Sequence, residues 1–130
     1  MKPPCMIVTS QVLPAVRVLV ARDLIETHEL KPTVVAHKMG LTPAAVTQYV
    51  SGARGGKLVH ALQESERVKR LLDRLVSELL KAQPDQYTAM AAVCELCRVI
   101  REEHMLCQLC DSSARIEGRA QCDACLRLPR

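Results

Sequence analysis

The chain has 130 residues, of which 48% are hydrophobic and 25% charged, and its formal net charge is +4. This length accommodates one small domain with an appendage, or two very small units. Tryptophan and phenylalanine are absent and only two tyrosines are present. The shortage of aromatic side chains argues against binding of RNA or single strands by base stacking, and it favours a helical core of aliphatic residues.

Positive charge is concentrated in the first half of the chain. Residues 1–60 contain seven lysines and arginines against three acidic residues, whereas residues 61–130 contain eleven of each. A net positive region suits contact with phosphate, and it predicts binding that weakens with salt because counterions are released. An ordinary solvated surface also carries lysines, so charge alone is weak support for nucleic-acid binding.

The apolar residues near the N-terminus are not expected to form a signal peptide. Their run over residues 6–25 is interrupted by Arg17, Arg22 and Asp23, and no cleavage-like sequence accompanies it. No stretch reaches the length of a membrane span without charge. We therefore expect a cytoplasmic protein with no membrane partner, in which the seven cysteines are thiols rather than disulfides.

The first strong helical pattern covers residues 11–28, where apolar side chains recur at helical spacing. Pro14 is compatible with this helix because we expect it in the first turn. Arg17 and Arg22 lie on the polar side, where a solvated face explains them more simply than a phosphate contact does. This helix is predicted to support the unit that follows.

Residues 31–52 carry start and stop signals for two short helices, predicted over 32–39 and 43–51. A proline opens each helix, and Gly40 ends the first because glycine tolerates the left-handed conformation of a sharp turn. The Thr42 hydroxyl is placed to cap the second helix. Two short helices joined by a tight glycine turn predict a helix-turn-helix. The helices should touch through Val35, Ala36, Met39, Val46 and either Tyr49 or Val50.

The other face of the second helix carries short or amide side chains, which suit entry into a major groove. Gln48 is the best candidate base reader, because a carboxamide both donates and accepts hydrogen bonds. The spacing of Ala36, Gly40, Val46 and Gly52 resembles the Cro and lambda repressor-like helix-turn-helix family. The resemblance implies binding to double-stranded DNA, with Pro43, Ala44, Thr47 and Gln48 facing the groove. Since Pro43 and Ala44 offer no hydrogen-bonding side chain, DNA shape is expected to contribute to recognition.

A basic, glycine-rich loop follows the second helix at residues 52–57. Its backbone amides and two cations, Arg54 and Lys57, are predicted to contact phosphate. The loop lacks the GxxxxGK[ST] pattern of a nucleotide-binding loop, and no strand precedes it. The complete set of predicted DNA contacts is Thr42, Pro43, Ala44, Thr47, Gln48, Ser51, Arg54 and Lys57.

The longest helical pattern runs over residues 58–82, with a wide apolar stripe on one face and charged residues on the other. Such a stripe is usually core, but part of it could serve a two-fold interface, since a half-site reader gains from pairing. We therefore predict a homodimer. Pro84 ends this helix, and a further one is predicted over residues 85–103.

Six of the seven cysteines form three CxxC pairs: Cys94 and Cys97, Cys107 and Cys110, Cys122 and Cys125. Two intervening residues let both sulfurs face one metal, so three pairs within 32 residues predict a metal or cluster site. Tetrahedral zinc and a [4Fe–4S] cluster each take four thiolates. The first pair lies on a predicted helix, and Arg98, Asp111 and Leu126 follow the pairs where a zinc ribbon prefers small residues. These features favour the iron-sulfur cluster, with zinc as the alternative; two zinc sites would also need Cys5 and His104.

With these pairs included, the whole chain is similar to a small group of prokaryotic regulators that join a repressor-like unit to a short cysteine-rich tail. This resemblance implies a cluster-dependent transcription factor in which Cys94, Cys97, Cys107 and Cys110 are the first choice of ligands, and Cys122 and Cys125 are additional. The predicted organisation is all-α. It has a helix-turn-helix domain over residues 1–60, a dimerisation helix over 61–83 and a metal-binding tail over 84–130.

Two other functions remain open at this point. The first is a DNA-binding protein whose tail holds structural zinc and recruits a partner. The second is a thiol oxidoreductase, which is disfavoured because no βαβ pattern surrounds the cysteine pairs. We therefore expect a non-enzymatic protein and infer no small-molecule substrate.

Overall fold

The computed structural model describes the backbone of residues 4–52 and 56–108, and the side chains at positions 6–52 and 58–106. All regular elements in these ranges are helical and none is a strand, which confirms the all-α class. The α-helices are α1 (Pro4–Ile7), α2 (Leu13–Arg22), α3 (Pro32–Met39), α4 (Pro43–Val50), α5 (Gly56–Glu64), α6 (Glu66–Leu80) and α7 (Gln86–Glu102), with π-helical turns at Val8–Val12 and Asp23–Thr27 and a 3₁₀-helix at Met105–Gln108. None of the described helices is both long and apolar enough to cross a membrane.

The N-terminal helix starts earlier than its predicted beginning at residue 11. Helical backbone continues from α1 through the π-helical turn at Val8–Val12 into α2. Leu13 donates its backbone N–H to Val8 O, five residues earlier, which is the wider π-type spacing. Pro14 has no N–H to donate and its ring crowds the preceding turn, so a widened turn just before it is physically reasonable. Pro14 is therefore in the first turn of α2, but not at the start of the helical segment.

Helix α2 lies at the centre of the molecule. Six of its ten residues are buried, and they are not confined to one stripe: Ala15, Val16, Val18, Leu19, Val20 and Ala21. A helix that is apolar on most sides needs neighbours on most sides. Helices α4, α5 and α6 all pack against it. The candidate DNA-contacting helix α4 is therefore supported directly by the core.

The prediction of a single helix over residues 58–82 is wrong, because the helical backbone is interrupted at Ser65. This residue has extended backbone (φ −87°, ψ 121°), and its hydroxyl accepts a hydrogen bond from Val68 N at 3.3 Å. It caps α6 and separates it from α5. Both helices pack against α2, but α6 packs most extensively against α7.

Helices α6 and α7 form an antiparallel pair. The apolar stripe of α6 is buried within the chain through Val68, Leu71, Leu75, Val76 and Leu79. Leu96, Val99 and Ile100 are the buried residues of α7. Most of the stripe, part of which the sequence predicts to serve a dimer, is thus covered by the chain's own helices. The predicted bounds of the last helix, 85–103, agree with α7 because Asp85 caps it.

Ionic contacts hold this pair at both ends. Arg67, near the start of α6, donates to Glu102 at the end of α7, with Nη2 and Oε2 2.7 Å apart. At the connection, the Glu78 carboxylate accepts from Lys81 Nζ at 2.6 Å and from Asp85 N at 2.8 Å. Glu78 is the buried charged residue among the described side chains, at 5% exposure. Its two donors satisfy the charge that burial would otherwise penalise.

Candidate nucleic-acid interface and cysteine pair

Helices α3 and α4 are joined by a tight turn at Gly40. This glycine is left-handed (φ 66°, ψ 33°), and Leu41 N donates to Ala36 O at 2.8 Å. Thr42 then adopts extended backbone, and its Oγ1 accepts from Ala45 N at 3.2 Å. The predicted bounds, 32–39 and 43–51, agree with the observed helices, since Ser51 is the C-terminal cap of α4.

The contact between α3 and α4 is made by the residues that the apolar pattern indicates. Val35 and Val46 are completely buried, and Ala36 is 1% exposed. Tyr49 is 4% exposed whereas Val50 is only half-buried, so Tyr49 is the inward-facing residue of the two candidates. A small side chain at position 36 lets the helices approach closely. This packing fixes the direction in which the opposite face of α4 points.

That opposite face is open to solvent. All six described residues among the predicted DNA contacts are exposed: Thr42, Pro43, Ala44, Thr47, Gln48 and Ser51. Two of the hydroxyls already donate within the helix, Thr47 Oγ1 to Pro43 O and Ser51 Oγ to Gln48 O, each at 3.0 Å. The Gln48 carboxamide makes no hydrogen bond to any described residue. Its donor and acceptor are therefore both available.

The cations described near α3 and α4 are Arg22 and Lys38, neither of which is among the phosphate contacts predicted from the sequence. The side chains of Arg54 and Lys57 lie outside the described residues. Arg22 lies beside the end of α4, because a Cβ built on Gly52 would stand 3.3 Å from Arg22 Nη2. Lys38 instead donates from Nζ to Lys81 O at 3.0 Å, at the end of α6. Lys38 is thus committed to holding α3 against the α6–α7 connection.

The first cysteine pair lies on α7, three residues apart and so on one side of the helix. Cys94 is exposed and Cys97 is partly buried, and both are free thiols. Burial raises the pKa of the Cys97 thiol; the neighbouring Cys94 raises it further, and Arg101 opposes both. The surroundings of Cys97 therefore favour its protonated thiol over the thiolate.

The chain reverses direction after α7, at His104 (φ 57°), and enters the 3₁₀-helix at Met105–Gln108. Leu106 is only 1% exposed and anchors this short helix in the core. Cys107 follows Leu106 directly, but its side chain lies outside the described residues, as do Cys110, Cys122 and Cys125. Within the described part, no group of three or more His, Cys, Asp or Glu side chains is placed to hold a metal. The predicted ligand set consequently stays a prediction.

No protein-family model, curated protein or solved structure matches this chain. The function therefore has to be inferred from the geometry and chemistry of the residues described above.

Proposed function

We propose that the protein is a transcriptional regulator that binds double-stranded DNA through α4. We further propose that its cysteine-rich tail holds an iron-sulfur cluster, expected to be [4Fe–4S]. The cluster would make DNA binding depend on redox state or on iron. The observation that carries DNA binding is the exposed face of α4. It combines an uncommitted carboxamide at Gln48 with small neighbours, on a helix whose orientation is set by Gly40 and Thr42.

The chemistry of this face suits a major groove. A glutamine carboxamide pairs in bidentate fashion with adenine N6 and N7. The short side chains of Ala44 and Thr47 let the helix approach the base edges, and the excess of positive charge in residues 1–60 suits the phosphates. Arg22 lies at the end of the same helix and is a further candidate phosphate contact. The family resemblance in residues 31–52 implies the same mode of binding.

Selection of binding sites from a random duplex library tests this part of the proposal. We expect one enriched, salt-sensitive sequence for the wild type. Gln48→Ala should lose about 1–3 kcal/mol of discrimination at one base pair, whereas Lys57→Ala should weaken all sequences alike and reduce the salt slope by about one. Gln63→Ala is the matched control, because Gln63 is also exposed but lies on α5.

Two results would contradict this assignment. Equal behaviour of Gln48→Ala and Lys57→Ala would show that α4 does not read bases. If the wild type enriches no sequence at low salt, the proposal of sequence-specific DNA binding is contradicted.

The donor chemistry of the tail supports a metal-thiolate centre. Cys94 and Cys97 present two sulfurs from neighbouring turns of α7, and one of them is open to solvent. Cys107 and Cys110 would complete a four-thiolate set of the kind that a [4Fe–4S] cluster requires. The raised pKa of Cys97 is opposite to the lowered pKa typical of CxxC oxidoreductases, which argues against an enzymatic role.

Anaerobic purification followed by visible absorbance and by iron and sulfide determination tests the cluster. We expect a coloured protein that loses its colour in Cys94→Ser and in Cys107→Ser but keeps it in Cys5→Ser. A colourless protein with stoichiometric zinc would favour the alternative, a structural zinc site with constitutive DNA binding. A protein that retains neither metal would contradict both forms of the proposal.

Homodimerisation belongs to the same proposal, because paired half-site readers favour palindromic sequences. Most of the α6 stripe is buried within the chain, so a more exposed apolar surface is a better candidate for the contact. Tyr87 and Met90, both on α7, are the most exposed large apolar residues described, at 88% and 65%. Analytical ultracentrifugation of the wild type and of Tyr87→Glu would show a dimer in the first and a monomer in the second if this surface is used.

A further inference from the structure

An open groove of about 280 Å³ lies where four helices meet. One wall comes from α2 and the end of α3, and the other comes from α6 and the first half of α7. The lining is mainly aliphatic, with Val16, Val20, Leu75 and Leu79 among the buried residues that contribute to it. Met39 of α3 and Met90 of α7 both line the groove, and the unbranched methionine side chain adapts readily to different ligand shapes.

The charged side chains described in this groove are all positive. Arg17 and Lys38 line it together with the neutral Gln86, and no acidic residue of the described part of the chain does so. By contrast, the other large cleft, which shares Val20 with this groove, includes Asp23 among its acidic residues as well as cations. A groove with an aliphatic lining and only positive charge is complementary to an anion that carries an apolar body.

Arg17 is the cation of this groove best placed to bind the anionic group of a ligand. It is half-buried, and it makes no hydrogen bond or ion pair with any described residue. Lys38 uses one donor for Lys81 O at 3.0 Å, which holds the ammonium in place and leaves its remaining protons for another acceptor. A half-buried arginine with no carboxylate partner among the described residues is suited to bind one, because its guanidinium can form two parallel hydrogen bonds.

We propose that this groove binds an amphipathic monocarboxylate, with the carboxylate on Arg17 and an aliphatic body against the valine and leucine side chains. The inference is independent of DNA binding and of the cysteine tail, and it shares Met90 with the proposed dimer surface. The ligand would touch α3 through Met39 and α7 through Met90, so it would bridge the helix pair that includes α4 and the helix that carries Cys94.

Calorimetric titration with octanoate tests the proposal on the full chain. We expect saturable binding to the wild type and at least about tenfold weaker binding to Arg17→Gln, because a charge-assisted hydrogen-bond pair is lost. Arg22→Gln is the matched control, since Arg22 is also a half-buried arginine of α2 but lines the other cleft. This control should bind octanoate as the wild type does. Equal weakening in both variants would overturn the assignment to Arg17.

Two further probes separate the charged from the apolar contribution. Acetate has the carboxylate without the body and octanamide has the body without the charge, so both should bind at least about tenfold more weakly than octanoate. Labelled methionine methyl groups should report the location, with NMR shifts at Met39 and Met90 and none at the exposed Met6. Tight binding of octanamide, equal shifts at Met6, or no saturable binding of octanoate would each overturn the proposal.

Discussion

Gly40 shows how one residue sets the geometry of the candidate recognition helix. Its left-handed backbone turns the chain between α3 and α4, and a Cβ added there would meet no atom within 4 Å. The need for glycine at this position is therefore conformational and not steric. Gly52 is also left-handed, but there a Cβ would approach Arg22 as well.

Replacement of Gly40 by alanine should lower the free energy of unfolding by about 1–2 kcal/mol, because L-residues with a Cβ are disfavoured in the left-handed region. Gly40→Asn should lose less, since asparagine tolerates this conformation better. Urea unfolding followed by circular dichroism measures both changes. An unchanged unfolding midpoint for Gly40→Ala would mean that the turn relaxes into another conformation.

At the scale of elements, caps decide where helices begin. Ser65 divides a stretch of continuous apolar periodicity into α5 and α6, because its hydroxyl accepts from Val68 N. Asp85 does the same for α7, where its carboxylate accepts from Tyr87 N and Thr88 N at 3.3 Å each. Periodicity alone does not distinguish one long helix from two capped ones.

Loss of the Ser65 cap should destabilise the protein by about 1 kcal/mol in Ser65→Ala, whereas Ser65→Asp should retain most of the stability. Ser77→Ala is the matched control, because Ser77 is an exposed residue in the interior of α6, where alanine is the better helix former. Thermal or urea unfolding of the three variants checks this. Equal destabilisation by Ser65→Ala and Ser77→Ala would show that the cap has no special role.

The connection between α6 and α7 predicts how stability depends on pH. The pKa of Glu78 is lowered because Lys81 and the backbone N–H of Asp85 donate to its carboxylate, which outweighs burial. A lowered folded-state pKa contributes stability that is present above the ordinary glutamate pKa of about 4.3 and is lost as the pH falls through the folded-state value. The hydrogen bond from Arg67 lowers the pKa of Glu102 in the same way.

Glu78→Gln should therefore make the acid limb of the stability curve shallower below about pH 4.3. Glu66→Gln serves as the control, since Glu66 is an exposed residue whose carboxylate contacts only Lys69 among the described cations, at 3.3 Å. Urea unfolding at a series of pH values gives the two slopes. A Glu78→Gln curve parallel to the wild type would indicate that other carboxylates control acid unfolding.

At the scale of the whole molecule, packed helices connect the cysteine pair to the candidate DNA-contacting face. Helix α7 packs on α6, α6 packs on α2, and α2 packs on α4. A second connection runs from the α6–α7 corner to α3 through the hydrogen bond of Lys38 with Lys81 O. Binding at the tail could thus change DNA affinity only by shifting these shared contacts, which is a thermodynamic coupling between two sites.

Under the proposed function, removal of the cluster should change affinity for the selected DNA sequence by about fivefold or more, a typical coupling between sites. Lys38→Met should reduce that difference while leaving cluster content unchanged, because it breaks the direct link between α3 and the α6–α7 corner. Fluorescence anisotropy under anaerobic conditions measures both affinities. DNA affinity indifferent to cluster loss would exclude the coupling, even where DNA binding and cluster binding each hold.

Local signals by themselves determined much of this protein. A proline start, a glycine stop and a threonine cap act within a few residues, so the bounds of α3 and α4 and the exposed set around Gln48 follow from the sequence. The helical class also follows, because an aliphatic sequence with 3.6-residue periodicity has few other solutions. The three CxxC pairs predict metal chemistry through their spacing, and that prediction falls mostly on residues outside the described part of the chain.

Only the tertiary structure decided the features that depend on partners far along the chain. The break at Ser65 accompanies the packing of α5 and α6 on α2 and of α6 on α7, and the inward position of Tyr49 depends on how α4 meets α2 and α3. The Lys38 contact spans 43 residues, and the place of Arg17 in a groove lined by four helices is visible only once those helices pack together. Such contacts carry no local pattern, because the free energy that selects them arises from burial shared between distant segments.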